Sequence, residues 1–350
     1  MKHIIGGNPP PEEAQVKTIL VDREDAGQRL DNFLMRCLKG VPKTHVYRII
    51  RSGEVRINKG RVAADRRIQA GDAIRLPPVR TSQRAADKAQ ALIDGSPARV
   101  AMVAELSLAS VREAPARDFP ILFEDDWLLA IDKPCGVAVH GGSGVAFGVI
   151  EQLRMARPQA RFLELVHRLD RETSGILLLA KKRSALKNLQ DQFRARETSK
   201  TYLALVAGQW PARLKVLDKS LQKMLLPDGE RRVRVVAKDH PDAMAALSLV
   251  KIVRRGHAFT LLEVALKTGR THQIRVHLAS EGMPIAGDDK YGNFELNRSL
   301  LRTEPPLKRM FLHAARLEFK HPASGELQAL AAALPPELTH FLDHAAPVPN

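Results

Sequence analysis

The chain is poor in cysteine, in aromatic residues and in long apolar runs, and each shortage excludes something. Its 350 residues include only two cysteines, Cys37 and Cys135. Two cannot build a disulfide framework, and no C-x-x-C pair is present for a structural zinc. No run of about eighteen apolar residues occurs, as a membrane helix would need. Met1–Glu13 is polar and proline-containing, without a signal-peptide core. A reducing, cytoplasmic setting is therefore expected, with no membrane partner. The glycines after His140 do not have G-x-G-x-x-G spacing, and no G-K-[ST] follows them, so a plain loop is favoured over a nucleotide cradle. No G-x-S-x-G is present, and neither cysteine has the surroundings of a nucleophile; Cys37 is read as close to the apolar stripe of its helix. His340 and His344 stand i, i+4 on the final helix, but without a third ligand nearby they read as two solvated imidazoles, and no metal is expected. Aromatics make up only 5% of the chain, too few for a protein that grips single strands by extensive base stacking.

What is abundant is positive charge. Lys and Arg number 55 against 39 Asp and Glu, a formal net charge of +16. Such an excess favours a polyanion, and nucleic acid above all. Residues 1–90 carry eighteen basic and ten acidic side chains, so about half of the excess sits in the first quarter. By default a charge run is a solvated face, but the local pattern is more specific. Leu30, Phe33, Leu34 and Leu38 recur at helical spacing, giving a helix that begins near Asp31. After Gly40-Val41-Pro42, residues Val46, Ile49 and Ile50 mark a second helix, which Gly53 can end in a left-handed conformation. Val55 and Ile57 alternate as a strand, Asn58-Lys59-Gly60 turns, and Ile74 and Leu76 follow another turn at Ala70-Gly71-Asp72. This arrangement, carried by RLDNFLMRCLKGVPKTHVYRIIRSGEVRINKGR, resembles the S4 RNA-binding domain. The resemblance assigns RNA binding to Lys43, Arg48, Arg51, Arg56, Lys59 and Arg61, and no DNA partner is expected.

The expected organisation is an S4-like domain at 16–80, an Ala-rich linker at 81–118 with a short helix around Ala86–Ile93, and a larger domain at 119–345. In the larger domain, apolar runs at 121–123 and 127–131 form a hairpin. Phe147, Ile150 and Leu153 start a helix, and strands at 163–166 and 176–179 flank the loop His167–Gly175. A helix spaced by Leu186, Leu189, Gln190 and Phe193 leads into a strand at 202–206, and a strand pair covers 247–253 and 258–266. Thr271 reads as the N-cap of a helix ending at Gly282. Strands at 312–319 and 327–330 and a helix with Leu338, Phe341 and Leu342 close the chain. Many hairpin-connected strands with irregularly placed helices indicate an α+β fold around a mixed, largely antiparallel sheet.

One constellation stands out: His167-Arg168-Leu169-Asp170-Arg171-Glu172-Thr173-Ser174-Gly175. An isolated Arg-Leu-Asp would be read as a turn capped by its own carboxylate. The full string HRLDRETSGILLLAKK, however, resembles the signature of the RluA family of pseudouridine synthases. KTYLALV around Tyr202, KTGRTHQIRVHLASEGMPIAGDDKYG and RMFLHAARLEFKHP around Leu312 are similar to that family's later motifs. The blocks LKGVP, VHGGSG and RFLELVHRLDR resemble its RluC-like subgroup. That implies isomerisation of uridines in 23S ribosomal RNA, or in a precursor of the large subunit, by a cytoplasmic enzyme, by default a monomer. It also implies the pseudouridine synthase fold.

The chemistry agrees with the residues. Uridine becomes pseudouridine when the C–N glycosidic bond breaks, the base turns, and C5 joins the same sugar carbon. Bonds are exchanged without net redox change or hydrolysis, so no cofactor is expected. One ionised carboxylate suffices, whether it attacks the sugar carbon, removes a neighbouring sugar proton or adds to the base. A hydrolase would need a second carboxylate to activate water, and Glu172 has no motif role. An apolar pocket disfavours the carboxylate charge and a nearby cation restores it. The resemblance assigns the carboxylate to Asp170 and the cation to Arg275. It assigns base stacking to Tyr202, which is also a candidate for removing the C5 proton, and packing beneath the site to Leu312. A uridine in folded rRNA must flip out to react; Arg168 is expected to fill the vacated stack and Arg270 to hold a phosphate. Two other readings stay open, a non-catalytic RNA chaperone with a structural Asp loop and a glycosylase that releases free uracil.

Overall fold

A computed structural model describes residues 16–22, 25–38, 41, 43–78, 114–141, 147–226 and 229–345. The chain divides into two compact units, with Ala114 beginning the second. The expected linker and its short helix lie outside the described residues except for 114–118.

In the first unit, β1 (Lys17–Leu20), β2 (Arg56–Ile57), β3 (Gly60–Arg61) and β4 (Ala73–Leu76) form an antiparallel sheet in the order β1-β4-β2-β3. Helices α1 (Leu30–Cys37) and α2 (Lys43–Arg51) bury the expected stripe, Leu30, Phe33, Leu34, Val46, Ile49 and Ile50, against Ile57 and Ile74 of the sheet. Gly53 closes α2 at φ +77°, and Asn58 and Lys59 both adopt positive φ, the geometry of a two-residue hairpin turn. Arg29 and the Tyr47 hydroxyl converge on the buried Asp31 carboxylate, joining the two helices. Sequence periodicity gave no sign of β1, whose side chains are mostly exposed; it forms because β4 offers it an edge. Cys37 is exposed, contrary to expectation. The helix ends at Leu38, and that side chain packs on the core in its place.

The second unit is built on a ten-stranded sheet. Its strands are β5 (Ile121–Glu124), β6 (Leu128–Lys133), β7 (Glu164–Leu165), β8 (Ser174–Ala180), β9 (Ser199–Ala207), β10 (Val216–Asp218), β13 (Leu247–Arg255), β14 (Phe259–Leu266), β15 (Leu312–Lys320) and β16 (Leu327–Ala331). The main path runs β10-β13-β14-β9-β15-β8-β6-β5, with β16 on β15 and β7 on β8. A separate hairpin pairs β11 (Ser220–Leu225) with β12 (Arg231–Val236). Every pairing is antiparallel except β15 with β8. The mixed, largely antiparallel α+β reading therefore holds.

Five helices cover this sheet: α3 (Val149–Ala156), α4 (Arg183–Ala195), α5 (Gln273–Ser280), α6 (Phe294–Leu300) and α7 (Pro336–Ala345). β8 is apolar at nearly every position because it is buried on both faces. Leu177 and Leu179 pack with Val149, Ile150 and Leu153 of α3, while Ile176, Leu178 and Ala180 pack with Ala185 and Leu189 of α4. Further along the sheet, Leu262 and Val264 join Ile274 and Leu278 of α5 and Leu338, Phe341 and Leu342 of α7 in another cluster. At about 25 cal/mol per Å² of buried apolar surface, these layers hold the sheet rigid. Tyr202 packs against both the α3 cluster and the α5–α7 cluster, so it stands at their junction.

Candidate active site

The parallel pair β15–β8 positions the Asp loop. His313 pairs with Ser174 and Ala314 with Gly175, so the start of β8 lies beside the start of β15. Gly175 has φ +108°, and a Cβ there would lie 2.3 Å from the Ala314 carbonyl oxygen. Only glycine fits. Asp170 lies four residues before Ser174, and its carbonyl accepts from the Thr173 amide at 3.1 Å. Lys133 fixes the other side of the loop. It is fully buried, and its Nζ donates to the carbonyls of Pro134 and Val137 (2.8 Å each) and Arg171 (3.1 Å). Burial lowers its pKa to about 8. The Gly136 amide donates to the same Arg171 carbonyl, and the Cys135 thiol donates to Glu172. Burial pushes that thiol up to about 11, which removes it as a nucleophile. The turn at Lys133–Gly136 thus holds the Asp170 loop, a role its sequence did not disclose.

Asp170 is not clamped by its flanking arginines. Arg168 is exposed, and Arg171 pairs with Glu172 at 2.7 Å. The groups facing the Asp170 carboxylate come from α5: Arg275 Nη1 at 3.5 Å and His272 Nε2 at 3.9 Å. The Asp170 side chain keeps 29% exposure, whereas Arg275 keeps 5%. The expected pairing of Arg275 with Asp170 is present, but it is the longest of three. Arg275 donates Nε and Nη2 to the carboxylate of Asp288 at 2.7 Å each, and Nη2 also reaches Asp289 at 3.1 Å. This bidentate fork orients the guanidinium and leaves Nη1 for Asp170. Burial alone would lower the Arg275 pKa; the hydrogen-bonded Asp288, with Asp170 and Asp289, raises it above its ordinary value. Burial likewise works against Asp288, but Arg275 holds its carboxyl below the usual range.

Thr271 is not the N-cap of this helix. α5 starts at Gln273 behind His272, which adopts left-handed φ +53°, and no side chain caps it. Gln273 does the local work, its Oε1 accepting from the Arg270 amide and the Thr268 hydroxyl. The left-handed turn sends His272 toward Asp170. The Tyr291 hydroxyl accepts from the Val233 amide at 3.0 Å and is hydrogen-bonded to His272 Nδ1 at 2.8 Å, so it holds the ring with Nε2 facing Asp170. Burial keeps this imidazole neutral to lower pH than usual, with Asp170 opposing.

Tyr202 lies on β9, paired with Val264 on one side and Ala314 on the other. Directly paired residues share a face, and alternation places Leu312, paired with Ala204, on that face as well. Burial, reinforced by Asp170, raises the Tyr202 phenol above its ordinary pKa. A phenol held protonated suits stacking and hydrogen-bond donation and disfavours a phenolate base. Asp170, Tyr202, Arg275, Leu312, Arg168 and Arg270 all line one cavity of about 660 Å³, a size that accommodates a nucleoside. Arg270 is exposed and donates Nε to the Ala245 carbonyl. In the first unit, Arg48, Arg51, Arg56, Lys59 and Arg61 are exposed; the side chain of Lys43 lies outside the described residues.

Sequence reasoning missed Asp288, Tyr291 and Lys133. The first two lie inside GDDKYG and the third in KPCG, within or beside motifs, but nothing in spacing alone assigns them partners.

One carboxylate and a guanidinium held by a second carboxylate share a cavity with Tyr202 and several basic side chains, an arrangement that suits an RNA-base-modifying enzyme. Comparison with known proteins agrees. Residues 127–280 match the RNA pseudouridylate synthase family model, and residues 28–74 match the S4 domain. A ribosomal large subunit pseudouridine synthase C from Yersinia pestis is 48% identical over 327 residues, covering 93% of this chain and 95% of its own. The protein of that name from Escherichia coli K12 is 47% identical, covering 92% of this chain and 94% of its own. Among solved structures, human RNA pseudouridylate synthase domain containing 4 superposes with a TM-score of 0.52 at 27% identity, over 66% of this chain and 95% of its own. The chain belongs to the RNA pseudouridylate synthase family, as a pseudouridine synthase that carries an S4 domain.

Proposed function

We propose that this protein isomerises uridines of large-subunit ribosomal RNA to pseudouridine in the cytoplasm. Asp170 supplies the carboxylate, and the S4 unit, residues 16–80, supplies a basic RNA-binding surface. The observation that carries the reading is the placement of Asp170 in the base-sized cavity, 3.5 Å from Arg275 and facing the same space as Tyr202 and Leu312. The flipped uracil stacks on the Tyr202 ring, with Leu312 beneath. Arg275 faces the carboxylate while the glycosidic C–N bond breaks; the base then turns, C5 bonds to the same sugar carbon and loses its proton to solvent, and N1 takes up a proton in exchange. Water is the competing nucleophile, and stacking on Tyr202 keeps the detached base beside its sugar. Arg168 and Arg270, exposed at the rim, hold the displaced strand and its phosphates.

The test is Asp170→Asn, with large-subunit rRNA carrying 5-tritiated uridine. Tritium release should fall by at least about 10³-fold, a loss typical of removing an essential catalytic group, while RNA binding is retained. Undiminished release in the variant would remove Asp170 from the mechanism. Free uracil in place of a carbodiimide-reactive, mass-neutral product would identify a glycosylase instead.

A further inference from the structure

Lys200 lies two residues before Tyr202 on β9. β9 pairs in unbroken register with β14 from Thr201 to Ala207, and the bulge at Ala314/Arg316 falls on β15. Alternation along the strand therefore puts the two side chains on one face, about 7 Å apart at the backbone. Both line the cavity that holds Asp170. The Lys200 Nζ lies 5.3 Å from the centre of the Phe193 ring, and a methyl group added to the Cα of Gly269 would lie 3.6 Å from it. Among the described residues its side chain makes no hydrogen bond and no ion pair. Lys181 is paired with Glu124, Lys290 with Glu230, and Lys133 is held by three carbonyls; among the described residues half-buried Lys182, like Lys200, meets only an aromatic ring, that of Trp127, but it does not line the cavity. Burial lowers the Lys200 pKa, with no neighbouring acid to offset it. Asp170 is the one acidic side chain among the described residues that line the cavity, and it faces Arg275.

A partly desolvated cation without an anion costs stability, so its position calls for an anionic ligand. We propose that Lys200 binds a backbone phosphate of the RNA next to the flipped-out uridine, and so positions the base over Tyr202. This rests on the RNA-isomerase reading of the site and names the group that seats its substrate. Lys200 is thus a substrate-positioning residue, distinct from the groups that face the Asp170 carboxylate.

The experiment uses full-length protein and large-subunit rRNA, comparing wild type with Lys200→Gln and Lys200→Arg. For Lys200→Gln, KM should rise about tenfold or more, as for loss of a charge-assisted hydrogen bond, with kcat at saturating RNA changed by less than about threefold. The slope of log affinity against log salt should become shallower by about 0.7–0.9, the contribution of one phosphate contact. Lys200→Arg should recover most of the affinity and the wild-type slope. An unchanged salt slope in Lys200→Gln, or equal loss in both variants, would overturn the proposal in favour of a packing role. Absence of tritium release from the wild type would instead overturn the function on which it rests, so the two failures are separable.

Discussion

Replacing Asp288 with Asn tests whether the Arg275 fork sets the geometry of the site. The Asp288 side chain is fully buried, and its two oxygens accept four hydrogen bonds: from Arg275 Nε and Nη2, and from the backbone amides of Lys290 and Tyr291. Asparagine has nearly the same shape, but one oxygen becomes an NH2 donor. Facing Arg275 Nε, it sets donor against donor; in the flipped orientation it opposes Nη2 and both amides. The guanidinium, 5% exposed, then keeps only Asp170 at 3.5 Å and the exposed Asp289 at 3.1 Å. Breaking a buried pair by removing one charge costs about 3–5 kcal/mol. For a unit of this size that corresponds to a fall in Tm on the order of 10 °C. Freed from the fork, Arg275 can turn toward Asp170, and a displacement of about 1 Å costs about 10²-fold in kcat. Because Asp288 is buried, RNA affinity should be unchanged. Thermal unfolding, tritium release and filter binding together read these effects. A variant with Tm within about 2 °C of wild type and undiminished release would refute the reasoning.

Two further outcomes are expected. Gly175→Ala should cost about 3 kcal/mol or more in urea unfolding, because a Cβ at φ +108° would meet the Ala314 backbone; tritium release should fall with it as β8 and the Asp loop move off β15, and full stability would show the contact to be relaxed easily. His167 stacks on Phe193 and accepts from the Leu178 amide, and burial lowers its pKa to about 4. The unfolded chain takes up that proton near pH 6.5, so it binds more protons than the fold between pH 6.5 and 4. Stability is therefore fully present above pH 6.5 and falls as the pH drops toward 4, by up to about 3 kcal/mol. His167→Gln should flatten the pH dependence of urea unfolding in that window, and an unchanged slope would exclude His167 as its source.

Much of the architecture was legible because it follows from periodicity. The S4 helices were marked by Leu30, Phe33, Leu34, Val46, Ile49 and Ile50, and those residues are the core. The apolar run at 176–179 was visible as a strand, although only the packing of α3 and α4 on opposite faces explains why it lacks alternation. The β11–β12 hairpin and α6 were not foreseen. β11 and β12 carry mixed polar and basic residues with only Ser220, Leu221 and Val233 buried, so their alternation is faint. α6 did carry a signal, since Asn293 caps it by accepting from the amides of Glu295 and Leu296. Thr271 was the more attractive cap by composition, yet the left-handed His272 moved the helix start beyond it.

By itself, the sequence determined the partner class, the α+β type and the carboxylate. Net charge, hydrophobic period and an ordered set of motifs are properties of the chain in one dimension. Tertiary structure decided what surrounds that carboxylate. Asp288 meets Arg275, Lys133 meets the Arg171 carbonyl, and Tyr291 meets both Val233 and His272, joining segments that are distant or unrelated in spacing. Such contacts depend on which strands lie side by side and on the direction in which each side chain leaves the backbone. The parallel step from β8 to β15 is the clearest case: it places Asp170 beside Leu312 although 141 residues separate them, and it requires glycine at 175. Local pattern cannot specify such a pairing, because hydrogen-bonded neighbours in a sheet are chosen by the packing of the whole core.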